Sequence, residues 1–380
     1  MYGETDVGWC AATPPNETTD EAGNLVVRDR GFSAADPRAP RRRVYDDPEV
    51  CALRDRLSRD NGIIGLEILS PDETERAARV FLRDGFVVVR DVLINEQLER
   101  FRDASARALA AILAFPGVDG RKYVTETARL PHRYSFGTSS VSRQLLHDPV
   151  WASMVELPTT RPLLAAIFGG EDYCVNGAGG DLCLPGAIEY QALHADVRET
   201  FEMPQGRVEQ AKRLGIKIDD NGDLSHATAQ LIIERTSPHI TINFLLSEQT
   251  ALNGPIRHIP GTQARPGRPP TQAEEPDWMR LSTLVGAPAG AAVFRDNRAW
   301  HGATPNLSRE VRAMPNVEYS PAWVGDHAFK PSMPHEVWAS LSHHAQRISR
   351  RIKTEPGVWP AGAGAVHPLA ARRAELKVTS

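Results

Sequence analysis

The sequence predicts a mainly β fold with flanking helices, a sandwich or jelly-roll, on three observations. From Tyr173 onward, runs rich in β-branched and aromatic residues dominate: YCVNG, AIEYQALHADV, HITINFLLS, GPIRHIP, AAVFRD and MPNVEYSPAW. Gly, Pro and Asn turns separate them, which is the punctuation of a two-sheet β core. Glycine and proline number 29 each, an excess that favours a turn-rich β architecture over a helical bundle.

The elements follow in order. Residues 1–70 contain PP, DPRAPRRR and DDPEV, breaker-rich and charged, and read as an N-terminal extension or wrapping arm with one short helix at 51–59. The RRR at 41–43 reads as a solvated run. SPDETERAARVFLRDG then reads as a capped helix, with Ser70 as N-cap, Pro71 at the first helical position and Gly85 as the stop. FVVVRDVL at 86–93 is a buried strand by composition. NEQLERFRDASARALAAILAF is a second amphipathic helix, ended by Pro116-Gly117. PLLAAIFGG at 162–170 is a third, shorter helix. The core domain is expected over 71–330. A long interruption at about 198–235 carries a helix, QGRVEQAKRLG, and a DDNGD turn, and it is the candidate lid. Residues 331–380 read as one C-terminal helix, HEVWASLSHHAQRISRRIKTE, and a tail.

Composition narrows the function classes. The chain has 380 residues and a net charge of −4, so non-specific nucleic-acid binding, which needs a basic footprint, is excluded. No stretch reaches the roughly 18–20 apolar residues of a membrane span, so no membrane partner is expected. The start carries no basic and apolar leader pattern. Cys10, Cys51, Cys174 and Cys183 form no C-x-x-C pair and read as free thiols of a cytoplasmic protein. Nothing in the sequence specifies an oligomeric state.

The segment with chemistry is Gln191-Ala192-Leu193-His194-Ala195-Asp196. On a strand, residues two apart share a face, so His194 and Asp196 offer an imidazole and a carboxylate to one metal. Of the 12 histidines, His301 stands out as the second imidazole, because AAVFRDNRAWHGATPNLS runs from a strand into a Gly/Pro/Asn turn. Two His and one carboxylate leave positions open on the metal, as in non-haem Fe(II) oxygenases, whereas structural zinc is closed by four protein ligands. A chelating 2-oxo acid with a distal carboxylate needs a cation at its far end. Arg312, eleven residues after His301 on the returning strand, supplies it. Arg309 is the competitor, but it lies nearer the turn and is expected to face solvent.

H-x-D followed far downstream by His301-Gly302, Asn306, Ser308 and Arg312 resembles the phytanoyl-CoA dioxygenase family of Fe(II)/2-oxoglutarate enzymes. Asn253-Gly254-Pro255-Ile256-Arg257 with Pro260-Gly261-Thr262-Gln263 is similar to that family's N-G-P-L-R-x-x-P-G-S-H turn, with Thr262 and Gln263 as departures. The DGFVVVRDVL segment looks like its N-terminal strand, and the resemblance covers about residues 72–325. It implies a double-stranded β-helix, a cupin-like jelly-roll. It implies His194, Asp196 and His301 as iron ligands and Arg312 as the clamp for 2-oxoglutarate, with O2 as the other co-substrate. Gln191 and Thr241 sit where related enzymes place polar contacts to the co-substrate. Family halogenases replace the metal carboxylate with a small residue, so Asp196 favours oxygenation. The expected reaction is hydroxylation, or another oxidation, of an unactivated C–H. The private insertion suggests a small-molecule substrate of specialised metabolism.

Other readings compete at each residue. His194 and Asp196 alone could be polar residues on a solvated strand face. Trp300 reads as packing, His343-His344 as solvated, and His226, His239 and His258 as turn or strand polars. Arg121, Lys122, Arg129, His132, Arg133 and Arg143 read as a solvated face, with substrate contact as a minority reading. Two other functions remain open: a non-catalytic metal-binding jelly-roll sensor, and a zinc-dependent hydrolase, although no H-E-x-x-H helix accompanies the ligands.

Overall fold

The computed structural model describes Trp9, residues 17–19, 25–27, 44–113, 133–137, 145–218, 224–265, 267–325, 329, 331–358 and 360. In chain order the elements are β1 (Glu17–Thr19), β2 (Leu25–Val27), α1 (Pro48–Asp60), β3 (Ile68–Leu69), α2 (Thr74–Asp84), β4 (Phe86–Val89) and α3 (Asn95–Leu113). Then come β5 (Arg133–Gly137), α4 (Pro149–Ala152), α5 (Arg161–Phe168), β6 (Tyr173–Cys183), α6 (Gln205–Arg213), α7 (His226–Arg235) and β7 (Ile240–Phe244). The last are β8 (Arg257–His258), α8 (Asp277–Leu281), β9 (Ala292–Asp296), β10 (His301–Gly302), β11 (Arg312–Pro321), α9 (His335–Ala339) and α10 (His343–Ile348).

Seven strands form one sheet in the order β3-β4-β9-β7-β11-β6-β5, antiparallel except for the β3–β4 pair. Facing it is a much reduced second layer. There β8 pairs with β10, and single bridges join His194 to His301 and Arg257 to Thr283. Period-two alternation divides the large sheet. Ile240, Ile242 and Phe244 of β7 and Val317 and Tyr319 of β11 point into the main hydrophobic core, with Phe81 of α2, Phe101 of α3 and Phe168 of α5. Thr241, Asn243, Asn316 and Glu318 alternate with them and line a cavity between the two layers. Among the described residues helices hold 34% and strands 18%, so "mainly β" describes the core and not the content.

Local chemistry explains most boundaries. α1 is capped by Asp47, whose carboxylate accepts the Glu49 N–H at 3.1 Å. It packs with Trp9 and Leu307 on the turn after β10, and Trp9 Nε1 donates to the Ser308 carbonyl at 2.9 Å. Gly85 ends α2 at φ +81°, a left-handed conformation that lets β4 begin at the next residue. No helix among the described residues is long and apolar enough to cross a membrane.

Three expectations are corrected. α2 starts at Thr74 with Glu73 as its N-cap position, not at Ser70. Ser70 instead holds the preceding turn, its N–H donating to Glu73 Oε2 at 2.9 Å. The predicted C-terminal helix is two short ones, α9 and α10, because Ser342 starts the second by accepting the Ala345 N–H. Finally, AIEYQALHADV is not a strand. Gln191 N–H bonds to Ala303 O, His194 to His301 O and Asp196 to Asn297 O, so the register slips between contacts and no continuous ladder forms. The RRR at 41–43, the Pro116-Gly117 helix end, Cys10, Arg121, Lys122, Arg129, His132, Arg143 and the DDNGD turn lie outside the described residues.

Candidate active site

The bridge between His194 and His301 brings together residues 107 positions apart. Its two hydrogen bonds are His194 N–H to His301 O at 3.1 Å and the reverse at 3.0 Å. With Asp196 these residues offer three ligand atoms within 4.8 Å of one another. His194 Nε2 lies 3.5 Å from Asp196 Oδ1, and His301 Nε2 lies 3.5 Å from Asp196 Oδ2. Both rings are oriented in the same way. His194 Nδ1 is 3.1 Å from the Ala192 carbonyl and His301 Nδ1 is 3.0 Å from the Ala299 carbonyl. A carbonyl only accepts, so each Nδ1 carries the proton and each Nε2 lone pair faces Asp196.

The charge states match what a cation requires. Burial, followed by the Arg295 charge, pushes the His301 pKa well below 6.5, which keeps the ring neutral. Burial pushes the Asp196 carboxyl up, but Arg295, His301 and His194 together outweigh it and hold the group well below its usual range. Two imidazoles and an ionised carboxylate on one side of a centre, with no fourth protein ligand among the described residues, fit an open Fe(II) site.

The cavity behind these ligands has a volume of about 580 Å3. That is room for a small molecule. Arg312 closes one end of it. Its side chain is 2% exposed, Nε donates to the Gly254 carbonyl at 3.1 Å, and Nη1 is buried without a hydrogen-bond partner. Gly254 has φ +74°, and a Cβ there would lie 3.0 Å from Cys183 Sγ, so glycine is required for this approach. The Thr241 Oγ1, Asn243 Oδ1 and Asn316 Oδ1 atoms on the sheet floor are also buried and unpartnered. Buried polar atoms left without partners are costly, so this wall suits a polar ligand such as 2-oxoglutarate.

The structure thus brings His194, Asp196, His301, Arg312, Gln191 and Thr241 to one cavity. Gln191 differs from the other polar wall residues, since its Oε1 already accepts the Ala303 N–H at 3.1 Å. Arg309 points away, 4.1 Å over the Tyr45 ring; it is stacked rather than solvated. Trp300 is half-buried and does not line the cavity. His344 is not solvated as expected: it packs against Tyr173, with ring centroids 6.1 Å apart, while His343 is exposed. Arg133, the one described member of the Arg-rich set, is buried on the cavity wall, its Nη2 donating to Thr304 O at 2.8 Å. His258 is buried against Phe86, with ring centroids 4.7 Å apart. Sequence reasoning missed Arg295 and Asn297, and it read His239, which lines the cavity, as a turn or strand polar. Arg295 alone had a signal, a charged residue inside the apolar run AAVFRD, but only the second layer shows which face of that strand is inside.

His239 has a pH consequence. Burial pushes its pKa from 6.5 down to about 4. The unfolded chain takes up this proton near pH 6.5, while the folded chain resists until about pH 4. Its stability contribution is therefore full above pH 6.5 and is lost as pH falls towards 4, at about 1.4 kcal/mol per pH unit. Urea midpoints of metal-free protein at about pH 7 and about pH 5 measure this slope, and His239→Gln is expected to flatten it. An identical slope in the variant contradicts the assignment.

The sequence matches the phytanoyl-CoA dioxygenase family over residues 81–314. No curated protein matches it. Among solved structures, AviO1 from Streptomyces viridochromogenes Tue57 is similar at 18% identity with a TM-score of 0.44, over 67% of this chain and 97% of that one. HygX from Streptomyces hygroscopicus, solved with nickel, 2-oxoglutarate and hygromycin B bound, is similar at 14% identity with a TM-score of 0.43, over 66% of this chain and 88% of that one. The family match spans more than half of the chain and contains all three ligand positions and Arg312. The chain belongs to the phytanoyl-CoA dioxygenase family and is a 2-oxoglutarate-dependent dioxygenase that uses iron.

Proposed function

We propose that the protein hydroxylates, or otherwise oxidises, an unactivated C–H of a small molecule of specialised metabolism. His194, Asp196 and His301 are the iron ligands, and Arg312 holds the distal carboxylate of 2-oxoglutarate. The observation that supports this reading is the shared cavity, with three ligand atoms within 4.8 Å on one layer and a buried guanidinium on the facing sheet. Bound iron would supply the activation of O2, which is the oxidant. The chain's own part is to orient and to exclude water. Arg312 donates from Nη1 to the co-substrate carboxylate, and the Thr241 hydroxyl donates from the same sheet face. Ile256 and Met314 keep part of the wall apolar. Gln191 acts through the Ala303 bond, tying the His194 segment to the segment after His301.

The test is anaerobic addition of Fe(II) and 2-oxoglutarate to the protein, followed by the weak visible charge-transfer band. Arg312→Gln is expected to raise the concentration of 2-oxoglutarate at half-saturation of that band by roughly tenfold or more, the scale of losing a charge-assisted hydrogen bond in a buried site. Metal-loaded wild-type protein without the band overturns the reading. Succinate release across a metabolite panel then identifies the substrate class. We also infer a cytoplasmic location, because the four cysteines form no C-x-x-C pair. Recovery of the protein in a membrane or secreted fraction contradicts it. We also assign the described parts of 198–235, residues 198–218 and 224–235, as the element that covers the cavity mouth, since the segment follows directly on Asp196 and Val197, which line the cavity.

A further inference from the structure

Arg295 is a buried cation that the motifs and the reaction reading leave unused. It lies on β9, faces the cavity, and is 5% exposed. Its Nη1 is 2.7 Å from Asp196 Oδ2 and 3.2 Å from His301 Nδ1. His301 Nδ1 gives its proton to the Ala299 carbonyl, so the Arg295 N–H has Asp196 as its acceptor. Arg295 Nε is buried without a hydrogen-bond partner, and its cross-strand neighbour Thr241 is neutral. A guanidinium keeps its charge at every working pH. Whatever cation Asp196 binds therefore sits beside a permanent positive charge, which is itself buried while the Asp196 side chain is 36% exposed.

We propose that Arg295 sets the redox poise of the iron, favouring Fe(II) over Fe(III). The inference rests on the reading that His194, Asp196 and His301 hold iron. In the relevant step Fe(II) gives one electron to an external acceptor, O2 or an electrode, and becomes Fe(III). The metal charge rises by one, so a fixed cation nearby opposes the oxidised state more than the reduced one. The same charge weakens divalent binding overall and competes for Asp196. The consequence is a resting site that stays ferrous, the form that accepts 2-oxoglutarate and O2, at some cost in metal affinity.

The experiment is a mediated spectroelectrochemical titration of iron-loaded protein without 2-oxoglutarate, comparing wild type, Arg295→Gln and Arg295→Lys. Arg295→Gln is expected to favour Fe(III) at least tenfold more than wild type does, a midpoint lower by about 59 mV for a one-electron couple. Arg295→Lys keeps the charge and is expected to retain most of the wild-type potential. Equal potentials in all three proteins overturn the inference, and so do equal falls in both variants, which would make the role geometric. Should Arg295→Gln fail to fold or to hold iron, Thr241→Glu sets a carboxylate beside Arg295 on the neighbouring strand and has to lower the midpoint instead. An unchanged midpoint in that variant overturns the proposal. Wild-type protein that binds no Fe(II) brings down the functional reading and this inference together. Wild type that binds Fe(II) with no shift in the variants brings down this inference alone.

Discussion

Asp196→Ala protein is expected to bind Fe(II) roughly a hundredfold more weakly than wild type and to show no 2-oxoglutarate band. Partners of a metal ligand alone are worth about 10–100-fold, so a ligand is worth at least the upper end. Asp196 is the sole carboxylate in the ligand group and lies within 3.5 Å of both imidazole Nε2 atoms. Removing it takes away the one carboxylate of the ligand group and leaves the Arg295 guanidinium facing the site. The measurement is isothermal titration with Fe(II) under anaerobic, chloride-free conditions, because chloride could occupy the space left by the carboxylate. Asp196→Asn, which keeps the shape and loses the charge, is expected to fall nearly as far. Unchanged Fe(II) affinity in either variant rejects the triad. The metal-free variant is a control on folding, since Arg295 then loses its 2.7 Å acceptor.

Glu199→Ala is expected to cost about 3–5 kcal/mol of stability, the usual penalty for breaking a buried ion pair. Glu199 Oε1 and Oε2 accept from Arg207 Nη1 and Nη2 at 2.8 and 2.9 Å, and Oε2 also accepts from Arg298 Nη1 at 2.5 Å. Arg298 in turn pairs with Asp296 at 2.7 Å. Exposures are 1% for the Arg207 side chain, 7% for Glu199 and 2% for both Arg298 and Asp296. Loss of Glu199 therefore leaves the desolvated Arg207 guanidinium without its carboxylate partner and Arg298 with Asp296 alone. Burial raises the Glu199 pKa, but the Arg207 bond and charge and the Arg298 charge outweigh it and bring it to about 2. Its contribution is thus present above pH 4.5 and lost as pH falls through 2.

This cluster also bears on movement. Glu199 accepts the Phe201 N–H at 2.9 Å and so holds that residue at φ +61°, a conformation that is uncommon without glycine. Arg207 anchors α6 by donating to the Thr236 hydroxyl at 2.8 Å, and Trp323 Nε1 donates to Gln210 Oε1 at 2.6 Å. The base of the insertion is therefore pinned to the strand end that leads to His301. In Glu199→Ala, proteolytic cleavage within 198–235 is expected to accelerate. In wild type, cleavage there is expected to slow when 2-oxoglutarate and substrate are bound. Urea unfolding and timed proteolysis read both effects. A stability loss under about 1 kcal/mol rejects the network's role, and identical cleavage with and without ligands rejects the covering role.

What could be read from the polymer alone was whatever depends on near neighbours and on spacing. The strand over 86–89, the Gly85 and Gly169 helix ends and the β7 strand follow from side-chain size, branching and φ preference. His194, Asp196, His301 and Arg312 were legible because one strand-like step and one turn of set length constrain them. Only the folded chain decided the rest. It replaced a predicted strand at 191–196 with single bridges, because the partner backbone meets that segment in a slipped register. It split the C-terminal helix where Ser342 caps a new one. It turned Arg309 onto Tyr45, and it aimed Arg295 at Asp196, 99 residues away. Contacts between residues so far apart leave no local periodicity. They arise when two sheets close on each other and buried charges must find counter-charges, a condition that exists only once the interior has formed.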